Sequence, residues 1–258
     1  MTFRLTVPPL VRAAAGRALD LLLPPRALDE GTGKQASVQS QGLTAQAWSR
    51  IAFIDAPFCD GCGAPFDFET YVGARCAACQ AQAPAFDRAR AACLYDEYSR
   101  DLILKLKHAD RVDLSGLFAR WIARAAADVL PDIDAVLPVP LHPTRLLGRR
   151  YNQAAEIARP LARAAAKAYF PDALIRRRAT ATQGGKSGDA RRRNVAGVFA
   201  VPERWRRYVE GKRLLLIDDV LTTGATAEGC ARALKSAGAA GVDVAVIARV
   251  KQTSGRAI

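Results

Sequence analysis

Between Lys212 and Val250 the chain reads as an apolar run, a hydroxyl-rich turn, an amphipathic helix and a second apolar run. The first run, "LLLIDDV", carries no polar residue until Asp218, as expected of a strand covered on both faces. "AEGCARALKSAG" places Cys230, Leu234 and Ala237 on one helical face, and Gly238 is a natural stop. "VDVAVIARV" is again a buried strand. Strand, turn, helix, strand at this length is a right-handed crossover between parallel strands, and open sheets of this kind seat ligands at the carboxyl ends of their strands.

The preceding sequence keeps the alternation. "ARAACLYDE" from Ala89 reads as a strand, "YSRDLILKLKH" and "LSGLFARWIARAAADVL" as amphipathic helices, "IDAVLPVP" as a strand entering a Pro-bounded loop, and "YNQAAEIARPLARAAAKAY" as a helix kinked at Pro160. The expected fold is α/β, a doubly wound and mostly parallel sheet. Half of the 258 residues are apolar, enough for one sizeable core and a small additional module. The short "LLL" run ends at Pro24-Pro25, and nothing approaches the length of a membrane span. A cytoplasmic protein without a membrane span is the expectation. Residues 31–47 are small and polar and read as a loop or degenerate insert.

Cys59-x-x-Cys62 and Cys76-x-x-Cys79 have the spacing of two knuckles that present four thiolates tetrahedrally to a structural zinc ion. Gly61 and Gly63 suit the tight turn of the first knuckle. A pair of disulfides is the competing reading, and it needs an oxidising compartment that nothing in the sequence indicates. Cys93, in a predicted strand, and Cys230, on the apolar face of a predicted helix, read as small buried residues.

Asp218-Asp219 ends the predicted strand, and Thr222, Thr223, Gly224, Ala225 and Thr226 form the turn into the helix. Backbone N–H groups at such a helix start, with threonine hydroxyls beside them, make a seat for a phosphate monoester. Carboxylates would repel that phosphate, so they are better placed on the vicinal hydroxyls of a sugar, directly or through Mg²⁺. A solvated strand end with a threonine helix cap is the plainer alternative. The net charge of +13 is regional: between Arg145 and Arg193 stand 13 lysines and arginines against three acids, Glu156, Asp172 and Asp189. That sign suits nucleic acid, acidic membranes or phosphorylated small molecules alike.

"LLLIDDVLTTGAT" resembles the phosphoribosyl-diphosphate motif of type I phosphoribosyltransferases. "LPVPLHPTRLLGRRYNQA" (137–154), "YDEYSRDLILKLKH" (95–108) and "TQGGKSGDARRRNVAGVF" (182–199), with Gln183, Arg191 and Asn194 in register, narrow the resemblance to the competence-associated ComF family. "FIDAPFCDGCGAPF" (53–66) is similar to that family's zinc ribbon. The resemblance implies an N-terminal helix, degenerate first ribbon half and four-cysteine zinc ribbon over residues 1–85, and a phosphoribosyltransferase-like domain over 86–258. It implies that Asp218 and Asp219 contact ribose hydroxyls, that Thr222 to Thr226 hold the 5′-phosphate, and that Arg145, Arg149 and Arg150 approach the pyrophosphate.

The "RRRATATQGGKSGDARRR" stretch, with Arg191, stands where the superfamily has a hood over its active site. For Arg176 to Arg178 a solvated basic linker competes with that reading. Where relatives resemble a double ribbon, Ala27, Glu30, Thr44 and Ala47 replace four further thiols, so one metal site is expected and the first half depends on packing by Leu21 to Leu23, Leu43 and Trp48. No general base is evident: His142 lies in the pyrophosphate loop, and His108 ends a helix. The implied activity is transfer of a phosphoribosyl group from Mg²⁺-bound phosphoribosyl diphosphate to an unidentified acceptor. A non-catalytic DNA-binding or accessory protein of natural transformation, with single-stranded DNA or competence proteins as partners, and a ligand sensor without turnover remain open beside it.

Overall fold

A computed structural model describes residues 42–108, 112–141, 151–177 and 197–251, without the side chain of His108. Arg145, Arg149, Arg150, Arg191, His142, Gln183, Asn194 and the first 41 residues lie outside that set. The chain divides into two compact units, residues 1–50 and 51–258. In the first, helix α1 (Ala45–Arg50) begins inside the stretch read from sequence as a loop. Thr44 Oγ1 accepts the Ala47 N–H at 3.1 Å, so a residue standing where a thiol was expected serves as a helix cap instead.

The second unit is built on a five-stranded parallel sheet. In chain order its described elements are α2 (Ala77–Ala81), β1 (Ala89–Leu94), α3 (Glu97–His108), α4 (Leu114–Ala125), β2 (Ala135–Pro138), α5 (Gln153–Ala164), β3 (Ala168–Tyr169), β4 (Ile175–Arg176), β5 (Phe199–Ala200), α6 (Glu203–Val209), β6 (Arg213–Leu221), α7 (Ala225–Ser236) and β7 (Gly241–Arg249). The sheet order is β1-β7-β6-β2-β3, and β4 pairs with β5 in a separate antiparallel ribbon. β6 is central, with Leu214 opposite Ala135 on one side and Val242 on the other.

Burial explains the uninterrupted apolar strands. Leu214, Leu216, Val242, Val244 and Val246 share a cluster with Ala227, Cys230, Ala231 and Leu234 of α7 and with Phe199. On the opposite face α4 packs on β1 and β7, and α5 packs on β2 and β6, burying Trp121, Ile122, Ile157 and Leu161. Helices on both faces make the sheet doubly wound. α5 runs helically through Pro160. Its cap, Asn152, accepts the Ala154 N–H and donates to the carbonyl of Val139, fixing the helix start beside the end of β2. α7 stops at Gly238, whose φ of 94° only glycine adopts freely.

The amino-terminal ends of the strands are tied by charge. The fully buried Asp243 carboxylate accepts Arg88 Nε and Arg213 Nη2, each at 3.1 Å, joining the segment before β1 to β6 and β7. The carboxyl ends are left for the candidate site. Among the described residues no helix is long and apolar enough to cross a membrane.

Candidate functional site

β6 delivers Asp218 and Asp219 to the carboxyl edge of the sheet, and the chain turns into α7 at Gly224, where φ is 79°. The Glu228 N–H closes the first helical turn on the Gly224 carbonyl at 2.8 Å. The N–H groups of the helix start have no partner further back in the helix, so their dipoles face the turn formed by Thr222, Thr223, Gly224, Ala225 and Thr226. The structure therefore brings the sequence-predicted acids and turn together at one strand end.

The two acids are not equivalent. Asp218 accepts the backbone N–H of Asp219 at 2.9 Å, which fixes the orientation of its carboxyl. Burial, reinforced by the neighbouring charge of Asp219, pushes that carboxyl up to about 7, while the positive charges of Lys107 and Arg176 act against the rise. Asp219 is paired: its Oδ2 lies 2.5 Å from Lys107 Nζ, both side chains being less than one-fifth exposed. Beneath them burial and the Asp218 charge push the Cys230 thiol well up, and burial pushes Cys93 up to about 12. Both cysteines are buried, in agreement with the sequence reading.

Cys59, Cys62, Cys76 and Cys79 also converge, with all four sulphurs within 4.8 Å of one another and none in a disulfide. Cys62 and Cys76 Sγ atoms are 3.7 Å apart. Tetrahedral zinc with bonds near 2.3 Å needs sulphurs about 3.8 Å apart. The N–H groups of Cys62 and Cys76 donate to Cys59 Sγ at 3.5 and 3.2 Å. With the hydrogen bond from the Cys62 thiol as the largest influence, these lower the Cys59 thiol well below its ordinary value. Such a donor set fits a tetrahedral thiophilic ion such as zinc.

The cysteine centre is seated on the sheet by three contacts. Arg90 of β1, 3% exposed, reaches into the first knuckle and donates to both the carbonyl and the carboxylate of Asp60. Gly63 has a φ of 67°, and a Cβ there would lie 2.5 Å from the carbonyl oxygen of Ala89. Arg249, at the end of β7 and 1% exposed, donates from Nη1 to the Cys62 carbonyl. Among the described residues no carboxylate pairs with Arg249, so its charge faces the cysteine cluster. The hydrogen bond to Cys59 and burial push the Cys62 thiol up, and the Arg249 charge acts against that rise. A cavity of about 330 Å³ separates Cys62 and Cys79 on one wall from Thr222, Thr223 and Gly224 on the other.

Three described residues at or beside these sites carried no role in the sequence reading, Lys107, Arg90 and Arg249, and a fourth, Arg176, was read only as part of the hood stretch or a basic linker. Lys107 lies in the "YDEYSRDLILKLKH" motif, next to the buried Leu106, and that adjacency was the available signal. Arg176 is not part of a solvated linker. It lies in β4, its guanidinium stands over the Phe199 ring at 5.5 Å, and its charge acts on Asp218.

Residues 152–257 match the phosphoribosyl transferase domain family, and within them lie the two acids at the end of the central strand, the left-handed glycine and the helix start. The chain is 32% identical over 208 residues to DNA utilization protein YhgH of Escherichia coli O157:H7, covering 78% of this chain and 88% of that one. It is 29% identical over 200 residues to competence protein F of Haemophilus influenzae, covering 75% and 85%. It belongs to the ComF family. Among solved structures, the glutamine phosphoribosylpyrophosphate amidotransferase of B. subtilis is similar at 22% identity with a TM-score of 0.38, over 56% of this chain and 30% of that one.

Proposed function

We propose that this protein binds phosphoribosyl diphosphate with Mg²⁺ at the end of β6 and transfers the phosphoribosyl group to an acceptor, in support of DNA uptake. The observation that carries the reading is the continuity of Asp218, Asp219 and the Gly224 turn into α7. The turn from Thr222 to Thr226 takes the 5′-phosphate, and the two acids orient the ribose hydroxyls. Mg²⁺, chelated by the diphosphate and held on the side of Asp218 and Asp219, would relieve the charge of the leaving group. Arg145, Arg149, Arg150 and Arg191 are assigned to the diphosphate by family resemblance. The four cysteines hold a structural zinc ion that fixes the ribbon, and take no part in the chemistry.

The test is calorimetric titration of phosphoribosyl diphosphate with Mg²⁺ on the parent and on an Asp218→Asn, Asp219→Asn variant whose fold is checked by melting. Binding confined to the parent supports the reading. A folded, metal-loaded parent that does not bind refutes it.

A DNA-handling role is favoured by a different observation. α6 interleaves Arg204, Arg206 and Arg207 with Trp205 and Tyr208, and Tyr208 is 43% exposed beneath the Arg207 guanidinium at 4.7 Å. Guanidinium groups beside an accessible ring suit a single strand, and such binding weakens steeply with salt.

A further inference from the structure

α3 buries Leu102, Ile103 and Leu106 and carries Lys107 into the site on its last turn. Tyr151 donates its hydroxyl hydrogen to the carbonyl of Leu106, which fixes that turn. The Lys107 side chain is 17% exposed, and its ammonium contacts Asp219 Oδ2 at 2.5 Å. A magnesium-bound sugar diphosphate brings a cation to the same pair of acids. Ribose hydroxyls and a divalent ion compete with the ammonium for the carboxylate oxygens of Asp219, which favours its departure. Having left, a largely buried cation needs another anion, because an unpaired charge at that depth is strongly disfavoured.

We propose that Lys107 is a diphosphate-binding residue: its ammonium rests on Asp219 in the free protein and transfers to the diphosphate of the ligand when the acids are engaged. The inference rests on the proposed phosphoribosyl diphosphate site. The covalent structure of the ligand selects the diphosphate over the 5′-phosphate. With the acids on the 2′ and 3′ hydroxyls, the diphosphate oxygen on C1 is one carbon from the 2′ position. The 5′-phosphate is two carbons from the 3′ position and is already met by the backbone of the α7 start. Lysine's flexible four-carbon stem permits this exchange of partner without movement of α3.

The experiment titrates phosphoribosyl diphosphate, pyrophosphate and ribose 5-phosphate, each with Mg²⁺, into the parent, Lys107→Met and Lys107→Arg. Loss of one charge-assisted contact lowers affinity about 10- to 100-fold. The expected result is a loss of that size in Lys107→Met for phosphoribosyl diphosphate and pyrophosphate, unchanged binding of ribose 5-phosphate, and substantial recovery in Lys107→Arg. Equal or tighter binding of phosphoribosyl diphosphate by Lys107→Met would overturn the proposal, since Lys107 would then only compete with the metal. A parallel loss of ribose 5-phosphate would also overturn it, because Lys107 would then act only by placing Asp219. A parent that binds none of the three removes the site reading, and the proposal with it, and is distinguished by appearing before any substitution.

Discussion

Replacing Arg90 by methionine tests whether one buried guanidinium fastens the cysteine knuckle to the sheet. Its Nε and Nη2 donate to the Asp128 carboxylate at 2.7–3.2 Å, Nη2 also to Asp60 Oδ1 at 3.0 Å, and Nη1 to the carbonyls of Asp60 and Ala89 at 2.9 Å. The guanidinium also stands over the Phe58 ring at 4.8 Å. Removing one partner of a fully buried ion pair costs about 3–5 kcal/mol. Asp60 and Asp128 are 32% and 48% exposed and recover water, so the expected loss is smaller. We expect about 2–4 kcal/mol, which in a unit of this size lowers the melting temperature by about 5–15 °C. Arg90→Lys keeps the charge, but its compact ammonium lacks the planar fork that serves two carboxylates and two carbonyls together, and should recover less than half. Melting followed by circular dichroism supplies the first measurement, and the rate of metal transfer to a chromogenic chelator supplies the second, since Asp60 lies between Cys59 and Cys62. A melting temperature for Arg90→Met within about 2 °C of the parent, or parental behaviour of Arg90→Lys, would refute the reasoning.

Asp218 should impose opposite pH trends on ligand binding and on stability. Its carboxyl is raised from 3.8 to about 7, so affinity for Mg²⁺-phosphoribosyl diphosphate should climb as pH rises toward 7 and level off above, with Asp218→Asn weak and flat in titrations across that range. The same shift means that the folded chain holds this proton more tightly than the unfolded chain. Its contribution to stability is therefore complete below the unfolded value and lost as pH rises through 7, which melting of parent against Asp218→Asn detects. Gly63→Ala combines a φ of 67° with a Cβ 2.5 Å from a carbonyl oxygen, so it should lower bound metal per chain and the melting temperature together; a fully loaded variant with parental stability would count against the seat. Leu234→Ala in the core of α7, where Leu234 is fully buried, should cost about 2–5 kcal/mol in denaturant melts, with ligand binding retained at temperatures where the variant stays folded.

The crossover from β6 to β7 was legible because its information is local. Strands covered on both faces read as unbroken apolar runs, and Gly238 marks the helix end by itself. The cysteine centre was legible for the same reason, since the two Cys-x-x-Cys spacings state its geometry. Lys107 was not, because its partner stands 112 positions away in the chain, and no periodicity marks a cation that meets an acid across a sheet edge. Arg90 and Arg249 were hidden similarly: an arginine in a strand reads as an outward-facing residue until a knuckle is known to cover it. β3, β4 and β5 have two residues each and are too short to carry a period. α6 went unread because Trp205, Val209 and four charged residues in seven positions give its apolar face little length.

The sheet order has a consequence for synthesis on the ribosome. Among the described strands β1 is made first, yet its neighbour in the sheet is β7, the last to be made. The early strand therefore waits at an open edge until about 150 further residues have been translated, which at about 5–20 residues per second takes on the order of 10 s. The cysteine knuckle waits with it, since Arg249 emerges only with the end of β7. Closure is a late event in which the final strand slots between two older ones and brings the arginine that meets Cys62. A nascent chain stalled before residue 241 would hold its four thiols without that support and expose an apolar strand edge to any chaperone or neighbour able to cover it.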